Sequence, residues 1–112
     1  MKKLFAMTAL AAIALTGAAL ADPIEGKWKT QSGATAQISP CGGSFCVDVA
    51  SGEYKGQRSG KLSGANGTYS GTLKQLSSGI SFSGKATISG NRMKLVAKKL
   101  GITVKTENWV KQ

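Results

Sequence analysis

From residue 22 onward, apolar and polar positions alternate with period two in short runs. Ile80, Phe82, Gly84, Ala86 and Ile88 alternate with Ser81, Ser83, Lys85, Thr87 and Ser89. This is the pattern of an antiparallel strand with one buried and one wet face. A turn at Ser89-Gly90-Asn91 follows. Met93, Leu95 and Ala97 then alternate with Arg92, Lys94 and Lys98, Gly101 marks the next turn, and Ile102, Val104 and Thr106 open a last strand. Together these read as a three-stranded meander joined by hairpins.

The first half follows the same rule less regularly. Ile24, Gly26 and Trp28 share one parity, Ser32-Gly33 is a turn, Ala34, Ala36 and Ile38 share a face, and so do Phe45, Val47 and Val49. Between Gly52 and Gly64 the apolar signal is thin, with Tyr54 and Leu62 its only large members. Asn66-Gly67 is a hairpin signal, since both residues tolerate positive φ, and Tyr69, Gly71 and Leu73 then face one way.

The expectation is an all-β chain of seven or eight short strands without a helix after residue 21. Such a sheet hides its apolar face by closing or by folding into a sandwich. Sequential hairpins favour a small antiparallel up-and-down β-barrel. Small residues at inward positions (Ala34, Ala36, Gly71, Gly84, Ala86, Ala97) permit either a cavity or close approach of the walls, and close packing is the expectation. Trp109 has the opposite parity to Ile102 and Val104, so either a bulge intervenes or Trp109 points outward as a contact residue.

The first residues set an expected compartment. Met1-Lys2-Lys3 is basic, Leu4 to Thr16 is apolar, and Ala19-Leu20-Ala21 carries small residues where a signal peptidase reads them. That order is a helical secretory signal peptide over residues 1–21. The apolar run falls short of the about 20 residues of a membrane span, and no later stretch is apolar enough for one. Cleavage after Ala21 leaves residues 22–112 as a single domain, periplasmic or secreted. Thirteen of the fifteen basic residues and all five acids follow Ala21, so that part carries a formal charge of +8. Anionic partners suit such a surface.

Cys41 and Cys46 are the only cysteines, in Pro40-Cys41-Gly42-Gly43-Ser44-Phe45-Cys46. In an oxidising compartment a lone pair forms a disulfide. The spacing is not Cys-x-x-Cys and no helix N-terminus lowers a thiol pKa, so the pair reads as a structural staple.

Three landmarks coincide: Asp22-Pro23-Ile24-Glu25-Gly26-Lys27-Trp28, the Pro40–Cys46 segment, and Glu107-Asn108-Trp109-Val110-Lys111. Together they resemble the bacterial secreted family designated domain of unknown function 2147. The family begins with Gly-x-Trp after a signal peptide, continues with Pro-Cys-Gly and a second Cys, and ends on a Trp followed by a basic residue. The likeness covers the two ends of the mature chain. The stretch from Ser51 to Gly79 is shorter and plainer than the family's central segment. More broadly, Gly26 and Trp28 resemble the first strand of lipocalin-like barrels. That resemblance implies a basic residue on the last strand, here Lys111, packed over the Trp ring. Gly26, Trp28, Trp109 and Lys111 are the barrel signature so implied.

No His occurs anywhere, the five acids are scattered, and no serine sits in a Gly-x-Ser-x-Gly elbow. His-dependent triads, two-carboxylate hydrolysis and nucleotide loops are therefore unsupported. A non-catalytic role is expected, without cofactor or metal. The first expectation is a binding or interaction module that engages an anionic surface through Arg92, Lys94, Lys98, Lys99 and Lys105. Its partner would be anionic lipid, lipopolysaccharide or an envelope protein, including an acidic hydrolase. The alternative is a lipocalin-like carrier of a small apolar ligand, lined by Trp28, Phe45, Val47, Leu73, Ile80, Phe82 and Met93. Nucleic acid is not expected in that compartment.

Overall fold

A computed structural model describes residues 22–112. The expected signal peptide, residues 1–21, lies outside the described residues. Eight strands follow one another: β1 (Gly26–Lys29), β2 (Thr35–Cys41), β3 (Ser44–Val49), β4 (Arg58–Ala65), β5 (Thr68–Gln75), β6 (Ile80–Ser89), β7 (Arg92–Lys99) and β8 (Ile102–Lys111). Each pairs antiparallel with its sequence neighbour, and β1 pairs with β8, giving a closed up-and-down barrel. Among the described residues there is no helix.

The turns fall where the residue types demand. Asn66 and Gly67 have φ of 57° and 91°, the two positive values a two-residue primed hairpin requires. The β7–β8 hairpin has the same signature with a different residue: Leu100 and Gly101 have φ of 54° and 79°.

The barrel has a closed end and an open end. At the closed end, Ile24, Trp28, Ile38, Leu62, Tyr69 and Met93 are almost wholly buried. The rings of Phe45 and Tyr69 meet edge to face, 5.7 Å between centroids. The segment before β1 plugs this end. The Tyr69 hydroxyl donates to the Asp22 carboxylate, and the Trp28 indole N–H donates to the Ile24 carbonyl at 2.9 Å.

Closure rests on a narrow seam, with Trp28 opposite Lys111 and Lys29 opposite Val110. The Lys111 ammonium lies 5.2 Å from the Trp28 ring centroid and donates to the Pro23 carbonyl at 2.9 Å. Gly26, at φ +124°, makes room: a Cβ there would stand 3.0 Å from Lys111 Cε. The implied lipocalin-like arrangement of Gly26, Trp28 and Lys111 is thus present in geometry.

Cys41 and Cys46 are joined across the β2–β3 hairpin, Cα to Cα 5.8 Å, as a diagonal pair on the outer face. Asp48 and Arg58 pair across β3 and β4 at 2.9 Å. Hydrogen bonding to Asp48, then its charge, raises the Arg58 pKa above its ordinary value.

The small inward residues form a row, Gly71 beside Gly84 and Gly84 beside Ala97. A Cβ at Gly84 would stand 2.5 Å from Leu73 Cγ, and one at Gly71 would strike the Lys61 carbonyl. Leu73 thus occupies the space a side chain at Gly84 would need. Close packing holds where Leu73 fills the space beside Gly84, while a cavity remains at the open end, so the expectation of close packing throughout is corrected there.

Trp28→Ala should cost about 3–5 kcal/mol, as for other buried Trp truncations, and Lys111→Ala about 0.5–1 kcal/mol, the worth of an exposed cation–π contact. Urea unfolding of oxidised protein measures both. Equal losses for the two would refute the ring as the dominant partner. Reducing the disulfide should lower stability by about 2 kcal/mol, the loop-closure entropy of so short a ring, read as a shift in urea midpoint.

Candidate functional site

The open end holds a cavity of about 300 Å³, lined by Leu73, Phe82, Leu95, Ala97, Val104 and Trp109, with Ser59, Lys74, Gln75, Lys105 and Glu107 at its polar edge. A shallower cleft of about 290 Å³ adjoins it, between Thr30, Ala34 and Val49 on one side and Glu107 and Trp109 on the other. This cleft exists because β1 is four residues long and β8 is ten. Above the two-pair seam, Gln31 from the β1–β2 turn accepts the Asn108 backbone N–H at 2.9 Å.

Two bulges shape the cavity. Val47 pairs with Gly60 but Asp48 with Arg58, leaving Ser59 as the extra residue on β4. Ala97 pairs with Lys105 but Lys98 with Thr103, leaving Val104 extra on β8. Each extra residue lines the cavity, which is what a bulge does: it adds a side chain to one face and re-aims its neighbours.

The second bulge resolves the parity of the last strand. Trp109 faces Met93 inside the barrel and is 7% exposed. The bulge alternative holds and the outward Trp109 is corrected. Below the bulge, Lys105, Glu107 and Trp109 take the inner face. Lys105 and Glu107 form an ion pair at 3.0 Å, and the Trp109 indole N–H donates to the other Glu107 oxygen at 2.9 Å.

The expected basic set is therefore divided. Arg92, Lys94 and Lys98 lie on the outer face of β7, paired with Ser89, Thr87 and Ser83 of β6. Lys105 belongs to the mouth, because the extra residue inverts its parity. Lys99 also takes the inner parity. Its ammonium donates to the Ser81 carbonyl at 2.8 Å and sits 5.6 Å from the Phe82 ring. Lys61 on β4 and Lys85 on β6 join the outer wall. The expected set, drawn from β7 and the adjoining β8, does not contain them, because the opposite neighbour of β7 and the strand beyond it come from distant parts of the sequence.

Of the expected cavity residues, Leu73 and Phe82 line the cavity. Trp28, Val47 and Met93 are buried in the packed half, Phe45 packs against that core, and Ile80 is exposed at the rim. These five are corrected because inward parity says nothing about depth: the same face serves the sealed end and the open one. Ala97 and Leu95 were legible as inward positions, and Glu107 could have been found by counting back from an inward Trp109. Among the described residues no three His, Cys, Asp or Glu side chains converge as a metal site.

The chain is thus a small closed antiparallel barrel with one plugged end and one open, apolar mouth. No protein-family model, curated protein or solved structure matches it.

Glu107→Ala should cost about 1–2 kcal/mol, because it leaves the indole N–H of a buried Trp without an acceptor. Lys105→Ala, which removes an exposed ion-pair partner, should cost less than about 1 kcal/mol. The reverse order in urea unfolding would show that Glu107 does not hold Trp109.

Proposed function

We propose that the protein is a non-catalytic binding module, exported to the bacterial envelope, that takes a small apolar or amphipathic molecule into the open end of its barrel. The carrying observation is the cavity of about 300 Å³ with Leu73, Phe82, Leu95, Val104 and Trp109 on its walls and the Lys105–Glu107 pair at its edge. An apolar chamber with a few fixed polar groups is the usual form of a small-ligand site, and this volume suits a ring system or a short chain. The Gly26, Trp28 and Lys111 arrangement supports the likeness to lipocalin-like barrels, and with the Pro40–Cys46 segment it supports a place in the family of unknown function 2147.

A second reading, contact with an anionic surface or acidic protein, is favoured by one feature. The outward positions of β4 to β7 include Lys61, Lys85, Arg92, Lys94 and Lys98, and none of them carries a carboxylate.

Binding of an uncharged naphthylamine dye, followed by its fluorescence, tests the cavity. The wild-type barrel should bind it saturably. Ala97→Phe, which fills the chamber beside Trp109, should weaken binding about tenfold or more, the effect of losing an apolar contact surface of one ring. A urea midpoint near wild type confirms that the variant is folded. No saturable binding, or equal binding by a folded Ala97→Phe protein, would reject the cavity as a ligand site.

A further inference from the structure

Three two-residue hairpins of this barrel have positive φ at both central positions, at Gly42-Gly43, Asn66-Gly67 and Leu100-Gly101, and in the first the leading position is a glycine. In the second, also at the closed end, the leading position is Asn66, a residue that tolerates the left-handed conformation. At the open end the same position, at φ 54°, is Leu100. A bulky residue there is a conformational outlier, and Leu100 is also 94% exposed, more than any other large apolar residue described. Backbone strain and apolar exposure thus coincide in one side chain, and outliers of this kind point toward function.

Leu100 is not isolated. Five large apolar residues are exposed among those described, and four of them lie at the open end: Ile80 at 45%, Leu100, Ile102 at 68% and Val104 at 51%. They sit on the β5–β6 and β7–β8 hairpins, the same two that wall the cavity with Phe82 and Val104. Cations surround them. The tip reads Lys98-Lys99-Leu100-Gly101-Ile102-Thr103-Val104-Lys105, with three lysines and no acid. Lys74 lies at the edge of the same mouth. The only acid lining that cavity, Glu107, is already paired with Lys105.

We infer that the β7–β8 hairpin is a membrane-docking tip that seats the open end of the barrel on an anionic phospholipid bilayer. Leu100 and Ile102 enter the headgroup–acyl boundary, and Lys98 and Lys99 meet the lipid phosphates. Apolar side chains ringed by lysines are the combination that interfacial binding uses, burial adding to attraction by anionic lipid. The charge complementarity selects a bilayer over an apolar protein partner. Docking in this pose turns the cavity mouth toward the lipid. The inference goes beyond the ligand-site reading and does not require the cavity to be filled.

The test uses the oxidised barrel, residues 22–112, whose core and closed sheet are complete in themselves, and co-sedimentation with phosphatidylglycerol–phosphatidylcholine vesicles or phosphatidylcholine vesicles. Wild type should bind the anionic vesicles, more weakly as salt rises, and the neutral ones little. Leu100→Asn should reduce binding about tenfold, the transfer free energy of one Leu side chain. It should also raise the urea midpoint, because Asn suits the turn that Leu strains. Loss of binding in a more stable protein cannot be attributed to misfolding. Arg92→Ser with Lys94→Ser should change binding less than about twofold, since these positions lie at the other end of β7, beyond a Debye length of about 8 Å.

Wild-type binding retained by Leu100→Asn, binding abolished by the Arg92 and Lys94 pair, or no vesicle binding at low salt would each overturn the inference. Self-association through Leu100 without vesicle binding would also overturn it. Dye binding without lipid reports on the cavity separately, so failure of either reading can be told from failure of the other.

Discussion

The burial of Trp28 between the plug, the first strand and the last is the constraint on which the rest of the barrel depends. A sheet of eight strands joined only by hairpins has two free edges, and free edges invite association. Here the edges meet over two residue pairs, so backbone hydrogen bonds alone make a thin seam. Side chains reinforce it. Trp28 fills the closed end and hydrogen-bonds to the plug, and Lys111 covers the Trp ring while reaching the Pro23 carbonyl. Gly26 lacks the side chain that would displace Lys111. Plug, first strand and last strand thereby become one unit.

This economy at the seam opens the other end. Because β1 stops at Lys29, the upper part of β8 runs on with β7 on one side and no strand on the other, and the adjoining cleft lies along that open edge. Most core residues concentrate at the closed end, while at the other end Leu73, Phe82, Leu95, Ala97, Val104 and Trp109 wall a cavity. Stability and accessibility are assigned to opposite ends by strand length and glycine placement.

The strands, their hairpins and the disulfide were legible because each has a local signal: alternation, Asn-Gly, an isolated cysteine pair; the Trp28–Lys111 contact was expected only through the likeness to lipocalin-like barrels. The site was less so. Alternation assigns a residue to a face but not to a height along the barrel, so Trp28 and Met93 could not be separated from Leu73 and Phe82. A bulge inverts every assignment on its strand. The conflict between Trp109 and Ile102 revealed that one was needed on β8, but only the register locates it at Val104, and Lys105 changes sides with it. The Ser59 bulge falls in the stretch where apolar residues are thinnest, and nothing there betrays it. Lys61 and Lys85 join the outer wall through cross-strand proximity, which a linear reading does not show.

The two ends treat the same backbone problem differently. A type I′ hairpin needs positive φ at both central residues, and Asn-Gly meets that need at little cost. The β4–β5 turn uses it, beside the buried Tyr69 whose hydroxyl accepts the Gly67 N–H. In the β7–β8 turn Leu100 adopts the same positive φ without a side chain suited to it, packs against no core and stands almost fully in water. A barrel shaped for stability alone would repeat the asparagine. The departure falls between two lysine-bearing strands and beside the cavity rim, at the end where closure is weakest. Unfavourable backbone geometry, apolar exposure and cationic surroundings therefore converge where the fold has room for a partner.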